Sequence, residues 1–118
     1  MRTHKDLEVW KNSIELVKEV YEVTGNYPQS EMYGLVNQMR RAAISVPSNI
    51  AEGAARNSSK EFVRFLSVSQ GSLSELETQI IVSERLGFLE SQYSKGLSDK
   101  MALIRAQLTG LVRSIKQR

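Results

Sequence analysis

The 118-residue sequence predicts an all-α fold: an up-down-up-down antiparallel four-helix bundle with a proline-kinked second helix. Three observations lead there. Apolar residues recur at three- and four-residue steps in four separate segments. Clusters of Gly, Pro, Asn and Ser divide those segments. No segment alternates apolar and polar residues as a half-buried strand would. A chain of this length builds one ordinary core, so residues 1–118 read as a single domain.

The first helix is expected from about residue 6 to residue 24. Leu7, Trp10, Ile14, Val17, Tyr21 and Thr24 form a heptad seam. Glu8, Lys11, Glu15, Lys18 and Glu22 occupy the opposite face, where i,i+3 and i,i+4 pairs each add roughly 0.2–0.5 kcal/mol. Asp6 is the expected N-cap. Gly25, Asn26 and Pro28 supply the stop and the turn.

The second helix opens at Ser30-Glu31 and is expected to run to about Ala55. Its apolar or small positions are Leu35, Met39, Ala42, Ala43, Val46 and Ile50. Pro47 falls inside this pattern, among Ser45, Ser48, Asn49 and Glu52. Proline removes one backbone donor and crowds the carbonyl four residues earlier, here that of Ala43, so a bend at Pro47 is expected. Gly53 marks the exit.

Ser58-Ser-Lys-Glu61 has the form of a capping box and opens the third helix. Phe62, Phe65, Leu66, Ser69, Leu73, Leu76, Ile80 and Ser83 share one face. Leu86 ends the helix, and Gly87 is the expected left-handed residue before apolar Phe88 and Leu89. Mid-helix Gly71 costs about 1 kcal/mol relative to Ala, which points to a close backbone approach there. The fourth helix begins between Ser91 and Ser98. Leu97, Met101, Ile104, Leu108, Leu111 and Ile115 are its seam, and Arg113, Lys116 and Arg118 suit its C-terminal dipole.

Two helices carry more apolar residues than one stripe needs: Val9, Leu16, Val20 and Val23 on the first, and Val63, Val68, Ile81 and Val82 on the third. Either the core-facing stripe is wide or the excess meets other subunits.

Composition narrows the function. Without cysteine there are no disulfides and no thiolate metal sites. No apolar run nears the roughly 20 residues of a membrane span, and the polar N-terminus lacks a signal-peptide pattern, so a cytoplasmic protein is expected. Glu52 and Glu75 are the inward carboxylates that a di-metal bundle would use, but His4 is the only histidine and no Glu-x-x-His occurs. These glutamates are expected to pair with Arg40 or Arg41, or to cap polar groups at the bend. No nucleophile elbow and no phosphate-cradling glycine loop appears. The chain is therefore expected to be non-enzymatic, with no cofactor and no metal.

The net charge of +3 and pI near 9.3 permit phosphate contact. The candidate cations are Arg40, Arg41, Arg56, Lys60, Arg64, Arg105, Arg113 and Lys116. Only Tyr33 and Phe62 lie near them in sequence, which argues against base-stacking readout of single strands.

Four pieces of the chain resemble one family. They are Leu7-Glu-Val-Trp10; Tyr33-Gly-Leu35 with Gln38-x-Arg40-Arg41-Ala-Ala43; Ser45-Val-Pro-Ser-Asn-Ile-Ala-Glu-Gly53; and Phe65-Leu66 with Gly71-Ser-Leu-Ser-Glu-Leu-Glu-Thr-Gln79. Together they are similar to the bacterial 23S rRNA-intervening-sequence proteins, over nearly the whole chain. The resemblance implies a four-helix bundle that assembles into a ring-like homopentamer. It also implies kinship with the basic accessory protein of diversity-generating retroelements, which binds nucleic acid and a reverse transcriptase. The expected function is phosphate-directed binding of RNA or DNA by an oligomer through the cations named above. The alternative is a structural or adaptor oligomer with a protein partner, in which the arginines form internal or intersubunit ion pairs.

Overall fold

The computed structural model describes residues 3–118 and the side chains of all of these except Asp6. Four helices carry the fold: α1 (Glu8–Thr24), α2 (Asn37–Ala54), α3 (Ser59–Arg85) and α4 (Ser91–Lys116). Short 3-10 turns at His4–Asp6 and Gln29–Glu31 and a π turn at Met32–Val36 complete it, and the described residues contain no strand. Each helix packs on two others: α1 on α2 and α4, and α3 on α2 and α4. The bundle measures 46 × 24 × 21 Å. No helix among the described residues is long and apolar enough to cross a membrane.

Hydrogen bonds fix the register between helices. Ser69 Oγ donates to the Val46 carbonyl and Ser72 Oγ to Ser45 Oγ, each at 2.8 Å, while Ser83 Oγ meets Met39 Sδ at 3.4 Å. Residue numbers thus fall along α3 as they rise along α2. The same inverse order joins α3 to α4, where Gln70 meets Thr109 and Ser74 meets Arg105. It also joins α1 to α4, where Asn12 meets Gln107 and Glu19 meets Lys100.

The core corrects the expected face of α1. Val9, Ser13, Leu16, Val20 and Thr24 are buried, whereas Ile14 and Tyr21 of the expected seam are exposed and Leu7, Trp10 and Val17 are half-buried. The two stripes lie about 100° apart on the helix, and contact with both α2 and α4 selects the one between them. The α3 and α4 seams match expectation at Leu66, Ser69, Leu73, Leu76, Ile80 and Ser83 and at Leu97, Met101, Ile104, Leu108 and Ile115. Of the extra apolar residues of α3, Val63 is half-buried against the core, whereas Val68, Ile81 and Val82 are exposed.

Helix ends follow local chemistry. Ser58 Oγ accepts the Glu61 N–H at 3.2 Å, but the Glu61 carboxylate turns to Arg64 (3.1 Å), so only half of the capping box forms. Gly87 has φ 81°; the Gly87 N–H reaches the Glu84 carbonyl and the Phe88 N–H the Ser83 carbonyl, closing a Schellman motif. Leu7, not Asp6, holds the N-cap position of α1, and no side chain caps it.

The chain between α1 and α2 departs from the expected continuous helix. The break in helical dihedrals falls at Gly34 (φ −116°, ψ −108°), inside the π turn. Downstream, α2 continues through buried Pro47 to Ala54. Close helix approach occurs at Gly53 rather than Gly71. A Cβ on Gly53 would sit 2.8 Å from Phe65 Cβ, whereas one on Gly71 would meet nothing within 4 Å. Tyr27 caps the core edge against Phe88, ring centroids 5.6 Å apart. Burial pushes its phenol pKa up; the nearby Ser83 side chain offsets part of that shift, yet no hydrogen bond of good geometry satisfies the phenol oxygen.

Candidate nucleic-acid interface

The α2–α3 connection and the C-terminal turns of α4 meet at one end of the bundle. Ser58 caps α3 there, taking the Glu61 N–H and leaving the Ser59 and Lys60 N–H groups without helix carbonyls to accept them. Lys60 lies in that turn. It shares a cleft of about 170 Å³ with Lys116, the last residue of α4, over a floor of Val63 and Ile115. Arg113 lies one turn before Lys116 on α4. Lys60, Arg113 and Lys116 are exposed and make no ion pair among the described residues.

Two arginines extend this end along α3. The Arg56 and Arg64 guanidinium carbons lie 5.1 and 5.3 Å from the Phe65 ring centroid. Each also reaches a carboxylate on its own stretch of chain, Arg56 to Glu52 (3.2 Å) and Arg64 to Glu61 (3.1 Å). Both pairs are solvent-exposed and worth about 0–1 kcal/mol, so an arriving phosphate competes for the guanidiniums at little cost. The aromatic partner, Phe65, was not among those the sequence suggested. Its position next to Arg64 was the available signal, and the approach of Arg56 from beyond α2 completes the stack. Of the two aromatics the sequence did suggest, Phe62 packs against Gly53 and Tyr33 is exposed away from this end.

The other three cations lie elsewhere. Arg40 Nε donates to Thr24 Oγ1 (3.0 Å), and its guanidinium sits 4.4 Å over the Tyr21 ring, tying α2 to the end of α1. Arg105 donates to Gln70 Oε1 (3.3 Å) and Ser74 Oγ (3.4 Å) and approaches Glu77 (4.0 Å), bridging α4 to α3. Arg41 is exposed and unpaired among the described residues, but a helix rise of 1.5 Å per residue puts it roughly 22 Å from Arg56. The structure therefore brings Lys60 to Lys116 and Arg56 to Arg64 around Phe65, with Arg113 one turn before Lys116; it gives Arg40 and Arg105 interhelix contacts and isolates Arg41.

The polar residues around Pro47 are internally engaged. Asn49 Nδ2 donates to the Ser45 carbonyl (2.8 Å) and to Ser45 Oγ (2.9 Å), and Ser48 is exposed. The expected pairing of Glu52 and Glu75 with Arg40 or Arg41 does not occur. Glu52 lies one helical turn from Arg56 and pairs with it, and Glu75 accepts from Gln79 Nε2 at 3.3 Å. No group of three or more His, Asp or Glu side chains converges on a common point among the described residues.

Residues 5–110 match the family model described as 23S rRNA-intervening sequence protein. No curated protein matches the chain.

Proposed function

Because the chain belongs to the 23S rRNA-intervening sequence protein family, we propose that it is a non-enzymatic oligomer that binds RNA or other nucleic acid through phosphate-directed cations. The carrying observation is the gathering of Lys60, Arg113 and Lys116, unpaired, beside the N-terminus of α3, with Arg56 and Arg64 adjoining. A helix N-terminus and lysines together favour a phosphate, and contacts of this kind position a backbone without reading bases. Exposed Val68, Ile81 and Val82 on α3 support assembly, and the family resemblance implies a homopentamer. In a ring, each weak phosphate contact is multiplied by its copy number.

Anisotropy of a fluorescein-labelled mixed-sequence RNA, titrated with protein across a salt series, tests the reading. Affinity should fall steeply with salt. Lys60→Glu with Lys116→Glu should abolish most binding, while Arg41→Glu should change it little. Salt-insensitive or absent binding at about 50 mM salt would end the proposal. The adaptor reading would then stand in its place, with the α3 surface as its contact.

A further inference from the structure

The end of the bundle opposite the basic cluster carries a cavity of about 570 Å³, between the C-terminal turns of α1, the α3–α4 connection and the first turns of α4. Its apolar wall is built from Phe88, Leu89 and Leu97, of which Leu89 and Leu97 are buried. Tyr93, half exposed, also lines the cavity. The charged groups lining the cavity are all carboxylates: Glu19, Glu22 and Glu90. Glu19 is held by Lys100 at 3.4 Å. Glu22 and Glu90 are exposed and make no ion pair among the described residues, and Glu90, at the N-cap position of α4, does not spend its carboxylate on capping. The nearby cations are already engaged, Lys100 with Glu19 and Lys95 with Asp99, which leaves the Glu22 and Glu90 carboxylates without a partner cation among the described residues.

We infer that this cavity receives a basic, apolar-flanked segment of a partner polypeptide, seating a Lys or Arg side chain between Glu22, Glu90 and Tyr93. Charge complementarity selects the class. The carboxylates repel a nucleic-acid backbone and attract an ammonium or guanidinium. The Tyr93 ring adds a cation–π contact, and the apolar wall takes the methylene stem and its apolar neighbours. Such a protein site is separate from the phosphate-directed end, so one bundle would hold nucleic acid and a basic protein at opposite poles. The inference does not depend on nucleic-acid binding.

The test uses fluorescence polarisation of a labelled nine-residue peptide of alternating Leu and Arg, with the full chain. Saturable binding is expected, and the same peptide with Glu in place of Arg should not bind. Glu22→Gln with Glu90→Gln should weaken affinity about tenfold, in line with two exposed charge pairs. Tyr93→Ala should weaken it about threefold. Lys60→Glu with Lys116→Glu should leave it unchanged, which separates this site from the basic end. Unaltered affinity in the glutamine double variant would overturn the inference. Displacement by spermidine as effective as by unlabelled peptide would reassign the cavity to a free polyamine. A rise in protein mass on peptide-free concentration, suppressed by the same glutamine changes, would reassign it to a second copy; either result overturns the partner polypeptide.

Discussion

Gly53 and Gly71 lie on helices that pack against each other, and replacing each by alanine should move stability in opposite directions. At Gly53 a new Cβ would lie 2.8 Å from Phe65 Cβ, 3.0 Å from Phe62 Cδ1 and 3.2 Å from the Phe62 carbonyl oxygen, where ordinary contacts run 3.4–4 Å. Two of those atoms are a Cβ and a backbone oxygen, which cannot rotate away. Relief requires α2 and α3 to part, which strains the nearby bond from Ser69 Oγ to the Val46 carbonyl. Overpacking of this kind costs about 1–3 kcal/mol, and the gain in helix propensity returns at most about 1 kcal/mol. The net loss for Gly53→Ala is about 1–2 kcal/mol. For a chain of this size that is a fall in Tm of about 4–8 °C. At Gly71 a Cβ meets nothing within 4 Å, so Gly71→Ala should gain about 0.5–1 kcal/mol. Thermal melts followed by far-UV circular dichroism measure both. A Gly53→Ala protein that melts at or above the parent would refute the close-approach reasoning. A loss at Gly71 that appears together with a lower oligomer mass would place a neighbouring subunit over that face.

Three further outcomes are expected. Tyr27→Phe should flatten the alkaline limb of the stability curve: the folded phenol pKa lies above its ordinary value, so stability is full below about pH 10 and falls as pH rises toward the folded value. Denaturant midpoints of parent and variant across that range measure it, and parallel curves would contradict the buried-phenol assignment. Arg40→Ala should lower Tm by about 4 °C or more, because its contacts to Thr24 and Tyr21 join α2 to α1, whereas Arg41→Ala should fall within about 2 °C of the parent; equal shifts would remove the structural role of Arg40. Pro47→Ala, which restores the donor to the Ala43 carbonyl but removes a buried ring, should cost about 1 kcal/mol and disturb the Ser45–Glu52 segment. Unchanged melting and unchanged mass by light scattering would make Pro47 incidental.

What the sequence revealed and what it hid divide along physical lines. Ser58 and Gly87 were legible because a cap is decided by a few neighbouring residues and their backbone geometry. The core faces of α3 and α4 were legible because each seam recurs at three- and four-residue steps along the helix, although α3 also carries Val68, Ile81 and Val82 outside its seam. Helix α1 has two, Leu7-Trp10-Ile14-Val17-Tyr21 and Val9-Leu16-Val20-Val23, and only the positions of α2 and α4 select between them. Gly53 and Gly71 look alike locally, and which one meets another helix is a tertiary fact. The eight cations were visible individually. Their grouping was not, because it depends on which helix ends meet: α4 returns Lys116 beside Lys60, while Thr24 and Tyr21 engage Arg40.

The most direct test of the basic end is the light-scattering mass of purified protein, with and without mixed-sequence RNA, at low and moderate salt. The expected result is a defined oligomer near five subunits whose mass rises with RNA and returns to its starting value in salt. In Lys60→Glu, Lys116→Glu protein the rise should vanish while the oligomer persists. An oligomer whose mass ignores RNA at low salt would contradict nucleic-acid binding, and a monomer would contradict assembly.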